Sequence, residues 1–207
     1  MSAPSLYLAS ASPRRRDLLA QIGLACHCLP VDLEESPLPG EAPAAYVTRL
    51  ALDKARAART LLDGKGSAGA VLVLAADTAV VVAGEVLGKP RDAADAAAML
   101  RRLGGCEHRV LTGVALIGPG AVERVGLSES RVRMRPILDA EIAAYWATGE
   151  PADKAGGYGI QGRGALFIEA IAGSYSGVMG LPLFETAALL AAAGLPALIT
   201  ESDEGSH

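Results

Sequence analysis

The chain has 207 residues, 51% of them hydrophobic and 20% charged, with a formal net charge of -4. This balance suits a globular chain and excludes the low-hydropathy, high-charge signature of disorder. The acidic excess argues against a surface adapted to DNA, RNA or anionic membrane, and the length fits one compact domain over residues 1–207.

In MSAPSLYLASASPRRR the charges follow a short apolar run, the reverse of a secretory signal, so no export is expected. Leu6 to Ala9 reads as a short buried strand. Ser12-Pro13 then opens a helix that runs to Gln21 and stops at Gly23, with serine at the cap and proline at the first helical position. Leu24 to Leu29 reads as a second strand. Its Cys26-His27-Cys28 cluster lacks the second Cys/His pair of a zinc site and is taken as strand packing. A polar loop from Asp32 to Pro43 carries Glu34, Glu35 and Glu41. From Ala44 to Leu62 the apolar spacing Val47, Leu50, Ala51, Ala55, Ala58 is helical, closed by Gly64 to Gly69.

Ala70 to Ala76 is a continuous apolar run, read as a strand buried on both faces and ended by Asp77. The apolar stretch around it, Ala68 to Ala83, is too short and too interrupted to span a bilayer. Ala79 to Ala83 and Glu85 to Leu87 flank Gly84 as a hairpin, and Asp92 caps a helix from Ala93 to Leu103. Arg109 to Ile117 and Glu123 to Met134 form an antiparallel pair across Gly118-Pro119-Gly120, and the Arg131, Arg133, Arg135 alternation marks the solvent face of an edge strand. Asp139 is placed as the cap of a helix to Thr148. A glycine-rich segment, Ala155 to Gly164, precedes a strand at Ala165 to Ile171, and a last helix, Pro182 to Ala193, leads into a tail whose end, Ser202 to His207, is expected to be disordered. The sum is an α/β protein with a mixed sheet flanked by helices.

Four clusters can carry chemistry. Arg14, Arg15 and Arg16 crowd the first turn of a helix, where the macrodipole disfavours cations; with Ser10, Ser12 and the free backbone N–H groups they suit a phosphate chain. Lys54 falls on the apolar stripe of its helix, so it either snorkels or reaches into a cleft. Asp77-Thr78, placed at the end of a buried strand, offers a metal ligand or general base, and Lys89 between Gly88 and Pro90 a further phosphate contact. Asp153 to Gly162 brings backbone close to a ligand and carries Gln161, a donor and acceptor able to read a base edge; it lacks the ending of a Walker loop.

The order of Ser10-Ala11-Ser12-Pro13-Arg14-Arg15, Arg49-Leu50-Ala51 with Lys54-Ala55, Ala76-Asp77-Thr78, Leu87-Gly88-Lys89-Pro90-Arg91-Asp92, Lys154 to Gly162 and Gly180-Leu181-Pro182-Leu183 resembles the Maf family, over a span from Leu6 to Leu190. The resemblance implies an elongated fold like that of the inosine triphosphate pyrophosphatases, with a twisted mixed sheet and a cleft between two lobes. It also implies an enzyme, often dimeric, that hydrolyses nucleoside triphosphates to monophosphate and pyrophosphate with a divalent cation, Mg2+ or Mn2+; the three cysteines, Cys26, Cys28 and Cys106, separately suit a reducing compartment, and a cytoplasmic location is expected. Carried onto this sequence, Asp77 is the proton acceptor and a metal ligand, Glu35 a second metal ligand, and Arg15, Lys54 and Lys89, with Ser10, the phosphate contacts. Arg14, Thr78 and Gln161 resemble the branch acting on dTTP and UTP, set against a branch acting on 7-methyl-GTP. Relatives associated with inhibition of septum formation suggest a regulatory alternative in which the pocket senses a nucleotide.

Overall fold

The computed structural model describes residues 4–64 and 70–198; the expected tail, and most of the turn that closes the second helix, lie outside them. One sheet of seven strands runs in the order β2-β1-β3-β5-β6-β7, with β4 paired to β3 off this path. Its strands are β1 (Ser5–Leu8), β2 (His27–Cys28), β3 (Val71–Val82), β4 (Glu85–Leu87), β5 (Glu107–Ile117), β6 (Glu123–Met134) and β7 (Ile168–Ala172). The helices are α1 (Pro13–Gln21), α2 (Pro43–Asp63), α3 (Ala93–Leu103), α4 (Asp139–Trp146), α5 (Tyr175–Met179) and α6 (Leu183–Ala192). The sheet is mixed: β1 is parallel to β2 and β3, and the remaining pairings are antiparallel. The α/β expectation therefore stands.

The principal correction concerns β3. The strand does not end at Asp77 but continues to Val82, because β5 pairs with it without a break from Val73↔Ile117 to Val81↔Arg109. A polar residue interrupts an apolar run in the sequence; a ladder of backbone hydrogen bonds ignores it once the side chain has a partner of its own. On the opposite edge β1 accompanies β3 only as far as Leu8↔Leu74, and β4 takes up pairing at Val80↔Leu87. Between them, Ala75 to Ala79 have no strand neighbour on that edge. The opening thus lies beyond the carboxyl end of β1, rather than that of β3.

Alternation along β3 assigns its faces. Val71, Val73 and Ala75 pack on Ala51, Ala55 and Ala58 of α2, and Ala79 and Val81 on Tyr46, Val47 and Leu50. Leu72 and Leu74 on the other face join Leu8, Leu18, Leu19 and Leu190 in one core, while Val80 joins Leu100, Leu103, Val110, Met134, Ile142 and Phe167 in another, so the opening falls between two cores. α2 lies unusually low on the sheet at Gly113, the register partner of Asp77: a Cβ there would stand 2.4 Å from the Val47 carbonyl oxygen.

Elsewhere the elements are shifted by packing. Of the expected second strand only His27–Cys28 pairs, and His27 stacks on Tyr7 at 5.0 Å; the cysteines are free. The last strand begins at Ile168 because Arg163–Phe167 form a 3-10 turn, and α5 is a short helix that the apolar pattern does not announce. Asp139 is the first residue of α4 instead of its cap; Leu138 holds that position, its N–H donating to Glu141 Oε2 at 3.0 Å. Arg131 and Arg133 are exposed as expected, yet β6 is not an edge, since β7 pairs with it.

His108, on β5, is 2% exposed, with Nε2 2.8 Å from the Tyr158 hydroxyl and a buried Nδ1 lacking a partner among the described residues. Burial pulls its pKa down from 6.5 to about 4. The folded state therefore resists a proton that the unfolded chain accepts, so the stability present above 6.5 drains away as pH falls towards about 4. Denaturation across that window is expected to show a loss of about 3 kcal/mol from this group. His108→Gln should remove that component; parallel loss in both proteins would refute the buried-histidine account.

Candidate active site

The opening beside β3 is a cleft of about 820 Å³, and Ser10, Arg14, Arg15, Glu35, Lys54, Asp77, Thr78, Lys89 and Gln161 all line it. They arrive from five places in the chain: the turn after β1 with the start of α1, the loop before α2, α2 itself, mid-β3 with the loop after β4, and the glycine-rich segment. The cleft reaches both faces of β3 because the unpaired edge lets it pass around the strand.

On the α2 face, Lys54 is buried and its ammonium donates to Asp77 Oδ1 at 2.6 Å while pairing with Glu35 Oε1 at 2.5 Å. The lysine does not snorkel; it is shared by two carboxylates, and neither Asp77 Oδ2 nor Glu35 Oε2 is hydrogen-bonded among the described residues. Burial raises the Asp77 pKa above its ordinary value, more than Lys54 and Arg15 pull it back. For Glu35, burial also pushes upward, but Lys54, Lys89 and Arg15 outweigh it and the net shift is down. Two carboxylates in one site are thus shifted in opposite directions, Asp77 up by burial and Glu35 down by its cationic neighbours. The Glu35 loop is tied to α2: the Tyr46 hydroxyl donates to the Glu35 carbonyl at 2.7 Å, and Arg49 grips Glu41 through Nε and Nη2 at 2.6 and 2.7 Å.

On the other face Arg15 is fixed by donors aimed at three acceptors: the Gly180 carbonyl at 2.7 Å, Ser10 Oγ at 3.2 Å and Thr78 Oγ1 at 3.4 Å. This answers the arginine crowding at the head of α1. Arg15 is held by its neighbours, Arg14 meets Asp153 at 3.4 Å, and Arg16 faces solvent. Ser12 sits at the cap position but its side chain makes no capping bond. Thr78 also bonds Thr112 at 2.9 Å, so its hydroxyl belongs to the Arg15 setting. Lys89 is exposed at the rim, on a loop pinned by the Gly156 N–H donating to the Gly88 carbonyl at 2.9 Å. Arg15→Lys is expected to lower kcat/KM for a nucleoside triphosphate by about 100-fold, because an ammonium cannot reproduce the forked contacts. An unchanged value would remove Arg15 from the phosphate site.

Gln161 is exposed at the mouth, within the glycine-rich segment. Two residues holding that segment, Tyr145 and Glu150, were not marked by sequence; Glu150 before Pro151 reads as an ordinary turn residue. Gly113 carried a usable signal, since glycine inside an apolar strand points to close backbone approach. Among the described residues no group of three or more His, Cys, Asp or Glu side chains could hold a metal ion, and no helix is long and apolar enough to cross a membrane.

Fold and site together define an α/β protein whose sheet is split along one edge by a cleft lined with arginines, lysines and paired carboxylates. The chain belongs to the Maf family: a family model described as Maf-like protein matches residues 5–193. A protein of Aromatoleum aromaticum named dTTP/UTP pyrophosphatase is 54% identical over 200 residues, covering 92% of this chain and 96% of that one. One of the same name from Anaeromyxobacter dehalogenans is 54% identical over 197 residues, covering 94% and 96%. Among solved structures, the Staphylococcus aureus Ham1 protein aligns over 63% of this chain and 71% of its own at 17% identity, with a TM-score of 0.42.

Proposed function

We propose that the protein is a nucleoside triphosphate pyrophosphatase that hydrolyses dTTP and UTP to the monophosphate and pyrophosphate. The observation that carries this reading is the buried Asp77 carboxylate sharing Lys54 with Glu35 at the floor of a cleft whose walls bear Arg14, Arg15 and Lys89. The names of the two bacterial relatives supply the substrate class.

In this scheme Arg15 and Lys89 neutralise the phosphate chain, and Asp77, made more basic by burial, takes the proton of the water that attacks phosphorus. The bond between the α and β phosphates breaks and pyrophosphate leaves. Arg15 is pre-aimed by Gly180, Ser10 and Thr78, so little reorganisation is needed as charge builds on the leaving group. A hard divalent cation, Mg2+ or Mn2+, suits the free oxygens of Asp77 and Glu35. Asp77 and Glu35 would hold it, two carboxylates being too few for a protein-only cage among the described residues. When bound, it would lower the charge of the phosphates and acidify water. Three free thiols agree with a reducing cytoplasm.

The test is pyrophosphate release by the purified protein with Mg2+ or Mn2+ across dTTP, UTP, CTP, the purine triphosphates and 7-methyl-GTP. Preference for dTTP and UTP is the expected result. Preference for 7-methyl-GTP would overturn the specificity, and no turnover of any triphosphate would overturn the reaction.

A further inference from the structure

The glycine-rich segment is fastened on both sides of Gln161 by one pair of side chains. The Tyr145 hydroxyl accepts from the Gly159 N–H at 3.0 Å and donates to Glu150 Oε1 at 2.7 Å. The same carboxylate accepts the Gly164 N–H at Oε1, 3.1 Å, and the Arg163 N–H at Oε2, 2.8 Å. Between the anchored ends lie Ile160, Gln161 and Gly162 alone. The tongue is also close-packed: a Cβ on Gly164 would stand 2.7 Å from the Tyr145 hydroxyl, and one on Gly162 would collide with the Glu150 carboxylate.

Both clamps are themselves held. The Tyr145 ring packs edge-on against Phe167 at 5.2 Å in the core beyond β3. Glu150 receives the Lys154 ammonium on its carbonyl at 2.6 Å, and its N–H donates to Thr148 Oγ1 at 3.2 Å. A carboxylate lining a cleft for polyanions is a liability unless its charge is used internally. Here three protein donors occupy it, and although burial pushes its pKa up, those hydrogen bonds and Lys154 outweigh burial and keep it ionised. Glu150 is thereby turned towards the tongue and not towards substrate or metal.

We infer that Tyr145 and Glu150 are positioning residues that fix Gln161 against the base and so set pyrimidine selectivity. This rests on the reading of Gln161 as the base-contacting residue, and the test separates the two. For the wild type, Tyr145→Phe, Glu150→Gln, Gln161→Ala and the double variant Tyr145→Phe/Gln161→Ala, kcat and KM are measured with UTP and CTP, beside thermal unfolding.

Tyr145→Phe keeps the ring in its packing and is expected to cut the UTP-over-CTP ratio of kcat/KM by about 10-fold, mainly through KM. Glu150→Gln should move the ratio the same way. In the Gln161→Ala background the tyrosine change should leave the ratio unaltered, because the contact it supports is already gone. A merely structural role would lower melting temperature and turnover of both substrates alike, leaving the ratio intact. If Gln161→Ala shifts the ratio while the Tyr145 and Glu150 variants do not, the positioning role is overturned and the base contact stands. If Gln161→Ala itself leaves the ratio unchanged, the base contact is overturned.

Discussion

Asp77→Asn is expected to reduce kcat by about 1000-fold or more while leaving the protein folded. Burial makes this carboxylate more basic than an ordinary aspartate, whereas Glu35 is pulled down by its cationic neighbours. An amide of the same shape cannot take a proton from water. Lys54 keeps Glu35 as a counter-ion, so the substitution does not strand a buried charge, and the unfolding transition should remain near that of the wild type. Pyrophosphate release at saturating dTTP, beside thermal unfolding, decides the matter. Retention of kcat within about tenfold would mean that the proton leaves by another route.

Gly113→Ala carries the largest expected effect on stability. The added Cβ would meet the carbonyl oxygen and carbon of Val47 at 2.4 and 2.6 Å and the Thr48 nitrogen at 2.8 Å, all backbone atoms that no rotamer change can clear. Relief requires α2 to rise from the sheet. Overpacking of this kind costs about 3 kcal/mol or somewhat more. Lys54 rides on α2 and Gly113 is paired with Asp77, so the shift should also part the 2.6 Å contact and depress turnover in the fraction that folds. Gly126→Ala is the control: its Cβ would meet side-chain atoms of Val114 and Glu185 at 3.2 and 3.4 Å, contacts that can give. Chemical denaturation of both should rank Gly113→Ala far below Gly126→Ala; equal midpoints would contradict the close seating of α2.

What the sequence made legible follows from range. Helical periodicity exposed Lys54 as a cation on an apolar stripe, and Ser12, Pro13, Asp92 and the glycines bounded helices within a residue or two, because these signals act over one turn of chain. The partners of Lys54, by contrast, lie 19 and 23 residues away on a loop and a strand. Asp77 lines the cleft, yet it does not end its strand: pattern alone reads a polar residue as the end of an apolar run, whereas pairing with β5 carries the strand through it. Glu150 was invisible because its value lies in accepting backbone N–H groups of Arg163 and Gly164, which leave no trace in side-chain pattern. The short β2 and the late start of β7 show strand propensity overruled by tertiary pairing.

The unbroken pairing of β3 with β5 also has a mechanical side. The floor of the cleft is one strand of a beam of three, β3 laddered to β5 from Val73 to Val81 and β5 in turn to β6, that joins the core around Leu72 to the core around Val80 with no loop between them. Such a beam resists hinge bending, since flexing it would break ladder hydrogen bonds in series. The two halves are therefore expected not to swing shut over a ligand as rigid bodies. Closure must fall to the segments that overhang the beam, the loop carrying Glu35 and the tongue carrying Gln161, and amide exchange that slows there on nucleotide binding, with the beam unchanged, is how that division of stiffness would be read.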